Sequence, residues 1–174
     1  MNMFNCFYPD LYYDSAYSID YEKMHEEGVN GIIFDVDNTL VEHGAPITER
    51  AEALFVGLHK IGIDTCILSN NNEERVKPLA DKAHSKYISK AGKPSPSNYL
   101  KAMALMGTDK GSTVMIGDQL FTDMWGANKA GIRSILVKPV DKHEEIQIII
   151  KRRLEKIVMH FYLKKENRKM LTKE

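Results

Sequence analysis

Cysteine is scarce in this chain, with two among 174 residues. Cys6 and Cys66 stand far apart and in no CxxC or Cys/His spacing, which argues against a disulfide framework or a zinc site and predicts free thiols in a reducing compartment. Net charge is absent as well. The 24 Lys and Arg balance 24 Asp and Glu, so the chain as a whole has no pull on a polyanion. Without a basic stripe carrying interleaved aromatics, no nucleic acid partner is expected. Long apolar runs are missing too. No segment approaches the roughly 20 apolar residues of a membrane span, and residues 1–17 lack the basic start and apolar core of a secretory leader. The expectation is a cytoplasmic protein, at most peripheral on the inner face of a membrane. The six histidines, His43 among them, form no metal-ligand spacing and read as surface or packing residues.

What is present is apolar residue enough, 43% of the chain, for one domain with a real core. The chain is organised around Gly31-Ile32-Ile33-Phe34-Asp35-Val36-Asp37-Asn38-Thr39-Leu40, an apolar run that stops at two acids with one residue between them. Ile32, Ile33 and Phe34 read as a short buried strand, on which Asp35 and Asp37 would point the same way. Two acids at such a strand end are costly unless a metal or a cationic side chain offsets them. The plain alternative is a strand-ending loop with Asn38 in a turn.

Strands and helices alternate from there. Thr48 caps a helix that carries Ala51, Leu54, Phe55, Leu58 and Ile61 at helical spacing and ends at Gly62. Ile63 to Leu68 is a second strand, ending in Ser69-Asn70-Asn71-Asn72, which can cap the next helix; Pro78 would kink that helix or delay its start. Tyr87-Ile88 is a brief third strand before Ala91-Gly92-Lys93-Pro94. Ser95 as cap and Pro96 at the first helical position open a helix closed by Gly107. Ser112 to Ile116 is a fourth strand, running into Gly117-Asp118-Gln119-Leu120-Phe121-Thr122-Asp123, and Ile132 to Val137 a fifth. This alternation predicts a three-layer, doubly wound α/β domain with a Rossmann-like parallel sheet of about five strands, whose ligands sit at the carboxyl ends of the strands. The polar clusters all fall there.

Residues 1–28 read as an extension packed on the core through Phe7, Leu11, Tyr12, Tyr13 and Tyr17, residues 29–140 as the catalytic core, and residues 141–174 as a C-terminal amphipathic basic helix of the same domain. Asp141 and Glu144 stand in capping-box spacing. Ile146, Ile150, Leu154, Ile157, Val158 and Phe161 share one helical face, with Arg152, Glu155 and Lys156 mostly on another. From Lys151 onward nine Lys and Arg oppose three Asp and Glu, so any attraction to an anionic surface resides in this tail.

The four polar clusters, Asp35-Val36-Asp37-Asn38-Thr39, Ser69, Lys93-Pro94 and Gly117-Asp118 with Asp123, resemble in kind and order the motifs of the haloacid dehalogenase (HAD) superfamily of phosphohydrolases. The resemblance implies that Asp35 is the nucleophile and Asp37 the general acid and base. It implies magnesium held by Asp35, the backbone carbonyl of Asp37 and Asp118, with Asp123 as ligand or support. Lys93 would offset the remaining charge, while Ser69, Asn70 and Lys93 would bind the phosphoryl group. The chemistry agrees: a carboxylate nucleophile splits hydrolysis into two easier steps through an aspartyl phosphate. Hard oxygen ligands suit magnesium. Between the motifs there is room for about one helix each, so no cap domain is expected and the site should be open.

The closer resemblance is to the YqeG-like subclass IIIA proteins, related to phosphatidylglycerophosphate phosphatases, through Pro9-Asp10-Leu11-Tyr12, Ala91-Gly92-Lys93-Pro94-Ser95-Pro96 and Gly117 to Asp123. It implies hydrolysis of phosphatidylglycerophosphate to phosphatidylglycerol, a lipid head group reached from the membrane surface. The alternatives are a phosphatase for a soluble sugar phosphate or nucleotide and, from another class, a non-catalytic interaction protein that keeps the fold. The intact acids and lysine argue against the last. Oligomeric state is left open by the sequence.

Overall fold

The computed structural model describes the backbone of residues 4–141 and 146–171, with side chains described in 4–141 and 153–165. Six strands form one parallel sheet: β1 (Leu11–Tyr13), β2 (Gly31–Phe34), β3 (Asp64–Leu68), β4 (Lys86–Ile88), β5 (Thr113–Gly117) and β6 (Arg133–Val137). Their order is β1-β6-β5-β2-β3-β4. The helices are α1 (Tyr21–Glu26), α2 (Glu49–Lys60), α3 (Glu73–Ala83), α4 (Ser97–Met106), α5 (Trp125–Ala130) and α6 (Ile146–Leu171). A π-helical turn, Leu120–Met124, leads directly into α5.

Period-two alternation splits the strand residues between two apolar layers. Ile32, Phe34, Ile67, Val114, Ile116, Ile135 and Val137 join one core with residues of α1, α2 and α3. Ile33, Cys66, Leu68, Met115 and Leu136 join the other with residues of α4, α5 and α6. Parallel strands need both faces covered, and both are.

Three expectations change. The sheet has six strands because Leu11–Tyr13 adds an edge strand to β6, with Leu11 opposite Ile135 and Tyr13 opposite Val137. The Asp10 carboxylate accepts the N–H of Ser134 at 2.8 Å and so fixes this register. Leu11 and Tyr12 themselves are exposed, whereas Tyr13 and Tyr17 pack against the core as expected, joined by the buried Tyr8, Ala16, Ile19, Tyr21 and Met24, and Phe7 meets Phe121 and Trp125 edge-on. Second, α3 starts at Glu73, capped by Asn72, and runs through Pro78 without delay. Third, Pro96 occupies the cap position of α4 and Ser97 is its first residue, one place later than expected.

Helix α6 lies differently from the expected apolar face. Val158 and Tyr162 pack on the core and Glu155 is buried between them and the sheet end, whereas Leu154 (53%), Ile157 (51%) and Phe161 (41%) are exposed. The buried line is 155, 158, 162; the more apolar line, 154, 157, 161, is exposed, with the Phe161 ring stacked on Phe4 at 5.6 Å. The capping box expected of Asp141 and Glu144, and the contacts of Ile146 and Ile150, lie outside the described residues.

The strand order reverses at β2, between β3 on one side and β5 on the other. At such a switch point the connections leave on opposite faces and open a crevice beyond the carboxyl ends of the strands. Asp35 follows β2 and Asp118 follows β5, and these two strands are paired with Phe34 opposite Ile116. The Asp35 N–H donates to the Ile116 carbonyl at 3.0 Å, extending the ladder to the acid itself.

Candidate active site

Lys93 binds the acids together. Its ammonium lies 2.9 Å from Asp35 Oδ1 and 2.8 Å from Asp123 Oδ1. Asp35, Asp118 and Asp123 are buried and offer three carboxylate oxygens within 4.8 Å of one another. Once a cation holds all three carboxylates ionised, they and the one ammonium leave two negative charges, the complement of a divalent ion, and an all-oxygen donor set fits a hard one. Asp118 is further oriented by the Thr39 hydroxyl, which donates to its Oδ1 at 3.2 Å. Gly117 permits this packing because a side chain there would overlap the carboxyl of Asp123.

Burial sets the charge state of the site. Desolvation pushes the Asp35 carboxyl up to about 8; Lys93 opposes this rise, and Asp123 and Asp118 add to it. For Lys93, burial alone would favour the neutral amine, but Asp123 and Asp35 more than reverse it and hold the ammonium charged.

Asp37 stands apart from this cluster although it is two residues from Asp35. Its Oδ1 accepts from Arg75 Nη2 at 2.7 Å and from the Gly44 N–H at 2.9 Å, and its Oδ2 accepts from Asn71 Nδ2 at 2.7 Å. The two acids therefore have different surroundings, one among other acids and a lysine, the other among donors. Asn38, directly after Asp37, turns the chain with φ of 65°, a left-handed conformation that asparagine tolerates well. Its side-chain oxygen accepts the Asp141 N–H at 2.8 Å, tying the loop to the exit of β6.

Asp35, Asp37, Ser69, Asn70 and Lys93 line one cavity of about 180 Å³, together with Asn38, His43, Asn71, Gln119 and Thr122. Asp118 and Asp123 do not line it; both are buried next to Asp35, Asp123 in contact with Lys93. All the residues singled out from sequence thus meet at one place. Asn70 lines the cavity and its side-chain oxygen also accepts the Lys93 N–H at 2.8 Å, which ties the two loops together. The Ser69 Oγ accepts the Asn71 N–H at 3.1 Å and keeps its own proton to donate. Arg75, Asn71 and Gln119 were not predicted. His43, read as a surface residue, is exposed but sits at the mouth of this cavity. A larger cavity, about 460 Å³ and lined by Asn30, Gly62, Ile63 and Thr108, opens at the opposite ends of the strands, away from the acids.

The HAD-hydrolase-like family model matches residues 90–151. The chain is 38% identical over 154 residues to the probable phosphatase YqeG of Bacillus subtilis, covering 88% of this chain and 90% of that one. It is 26% identical over 164 residues to phosphatidylglycerophosphate phosphatase 1, chloroplastic/mitochondrial, of Arabidopsis thaliana, covering 84% of this chain and 45% of that protein. Among solved structures, an uncharacterized protein from Corynebacterium glutamicum superposes with a TM-score of 0.52 at 20% identity, over 75% of this chain and 93% of the other; this likeness concerns the fold.

The raised Asp35 carboxyl has a consequence for stability. Its folded-state value lies above the ordinary one, so its contribution is fully present below about pH 4 and is lost as pH rises through about 8. In chelator, the melting temperature of the wild type should therefore fall over that window, and Asp35→Asn should flatten the fall. Added divalent cation should flatten it in the wild type alone. Thermal melts at a series of pH values check this; parallel profiles for the two proteins in chelator would contradict it.

Proposed function

The chain is a phosphatase of the HAD superfamily, in its YqeG-like branch, and on that premise we propose that it hydrolyses phosphatidylglycerophosphate, with magnesium as cofactor and Asp35 as nucleophile. The observation that carries the catalytic part is the Lys93 ammonium shared by Asp35 and Asp123 beside Asp118. Asp35, Asp118 and Asp123, with the Asp37 carbonyl, would hold the metal, which supplies the positive charge that lets a phosphate dianion approach a carboxylate. Asp35 attacks phosphorus, the ester oxygen leaves, and a phosphoryl group remains on the Asp35 carboxylate. Lys93 keeps that carboxylate oriented and offsets charge on the phosphoryl oxygens, toward which Ser69 donates its hydroxyl. Asn70 holds the Lys93 backbone in place for this.

Asp37 is the group at the cavity wall that can give a proton to the leaving oxygen and take one from the water that cleaves the aspartyl phosphate. Arg75, Asn71 and Gly44 fix its carboxyl from behind. The two half-reactions then use one acid for bonding to phosphorus and one for protons. Asp35→Asn should lower phosphate release by on the order of 10³-fold or more. Asp37→Asn should cost about 10²- to 10⁴-fold on alkyl esters and far less on an aryl ester whose leaving oxygen needs no proton. Equal losses on both ester types would remove Asp37 from the proton-transfer role.

The lipid substrate rests on the similarity to the Arabidopsis enzyme and on α6. Among the described residues no helix is long and apolar enough to cross a membrane. The outward line Leu154, Ile157 and Phe161 is flanked by exposed Arg153, Lys156, Lys164 and Lys165. Apolar side chains bordered by cations suit a helix lying in an anionic interface, each basic residue near the surface contributing about 1 kcal/mol. The competing reading is a soluble sugar phosphate or nucleotide, favoured by the amide-lined mouth of Asn38, Asn70, Asn71 and Gln119. A phosphate-release panel separates them: phosphatidylglycerophosphate in anionic vesicles should be turned over best and only with magnesium. Replacing both Leu154 and Ile157 by serine should lower that rate at least about tenfold relative to a water-soluble ester. A soluble ester preferred over the lipid, with no response to the double replacement, would establish the competing reading.

A further inference from the structure

Helix α6 holds Arg153 and Lys156 in solvent but buries Glu155, a carboxylate only 6% exposed. Its Oε1 accepts the N–H of Leu120 at 2.8 Å, across 35 positions of sequence. That amide is the first of the π-helical turn Leu120–Met124, and no side chain of the preceding residue, Gln119, caps it. First-turn amides have no partner inside their own helix and need one from outside when buried. Glu155 supplies it, among the apolar walls of Leu120, Leu136, Val137 and Met159, in a cavity of about 300 Å³ that reaches Asp118.

Leu120 lies between two acids of the cluster. The Gln119 N–H donates to Asp123 Oδ2 at 3.1 Å, and the Asp123 N–H donates back to the Gln119 carbonyl at 3.0 Å. The segment from Gln119 to Asp123 is therefore one closed turn that follows Asp118 directly and contains Leu120.

We propose that Glu155 is a positioning residue of the active site: by holding the Leu120 amide it fixes the turn that keeps Asp118 and Asp123 within reach of one cation. Helix α6 is then required by the metal site although, among the described residues, it adds no carboxylate to the cluster. Its inner face holds the turn, while its outer face carries the exposed apolar line. The inference rests on the reading of Asp118 and Asp123 as metal-site residues, and its test separates the two.

Full-length wild type, Glu155→Gln and Glu155→Leu are compared by calorimetric titration with Mn²⁺ and by amide hydrogen exchange. Loss of a group that orients metal ligands commonly weakens binding by about 10- to 100-fold. Glu155→Leu should show a loss in that range, with faster exchange at Leu120, Asp123 and Met124 and unchanged protection in β2 and β3. Glu155→Gln keeps an acceptor oxygen and should stay within about threefold of the wild type. Wild-type affinity in Glu155→Leu would overturn the proposal, and so would a loss of protection spread evenly over the sheet. Should that variant not fold, rapid exchange of the Leu120 amide in the wild type would overturn it equally. If the wild type binds no Mn²⁺ the metal reading fails, and selective deprotection at Leu120 still decides whether Glu155 holds the turn.

Discussion

One ammonium makes the catalytic end of this sheet possible. Asp35, Asp118 and Asp123 are buried within 4.8 Å of one another, an arrangement that carboxylates do not adopt unaided because each raises the cost of ionising the next. Lys93 removes one of the three charges by direct contact with two of them. Much of the local structure serves that placement: Asn70 fixes the lysine backbone, Gly117 leaves room for Asp123, and the β2–β5 pairing brings Asp35 beside Asp118. The two charges left over define what the site can accept.

Asp37 shows how the same loop produces a second kind of acid. Two residues from Asp35, it is surrounded by donors from α3 and from the loop at Gly44. The contrast comes from topology. Asp35 directly follows a central strand and takes the Ile116 carbonyl with its N–H, while Asp37, just before the left-handed turn at Asn38, lines the same cavity among donors. A single short loop thus carries one carboxylate in contact with a lysine and another held by neutral and cationic donors.

The central strands and the members of the cluster were legible in the sequence because each apolar run stops at a polar residue, and in a doubly wound sheet all those stops lie at one end. The edge strand β1 was not, since Leu11–Tyr13 is held by backbone pairing and by Asp10 rather than by buried side chains. Arg75 was invisible because nothing in its helix signals that Asp37, 38 positions earlier, lies across the cavity. Helix α6 misled for a physical reason. Its two possible inner lines differ by about one residue, and the more apolar of them, 154-157-161, faces outward, while the line with a carboxylate is buried. Apolar count favours the first line; the Leu120 amide in need of an acceptor accounts for the second. Read that way, the exposed apolar line is a surface feature of a helix whose docking is already satisfied.

The charge balance around Lys93 is the part of this account on which the rest depends, and Mn²⁺ binding to Lys93→Met tests it directly. A bound cation takes over from the ammonium in keeping the three carboxylates ionised, so in Lys93→Met it meets one more uncompensated negative charge. Manganese should therefore bind at least about tenfold more tightly than to the wild type, while phosphate release is lost. Unchanged or weaker binding by a folded Lys93→Met protein would contradict the account, because Lys93 would then have no part in setting the charge that the metal meets.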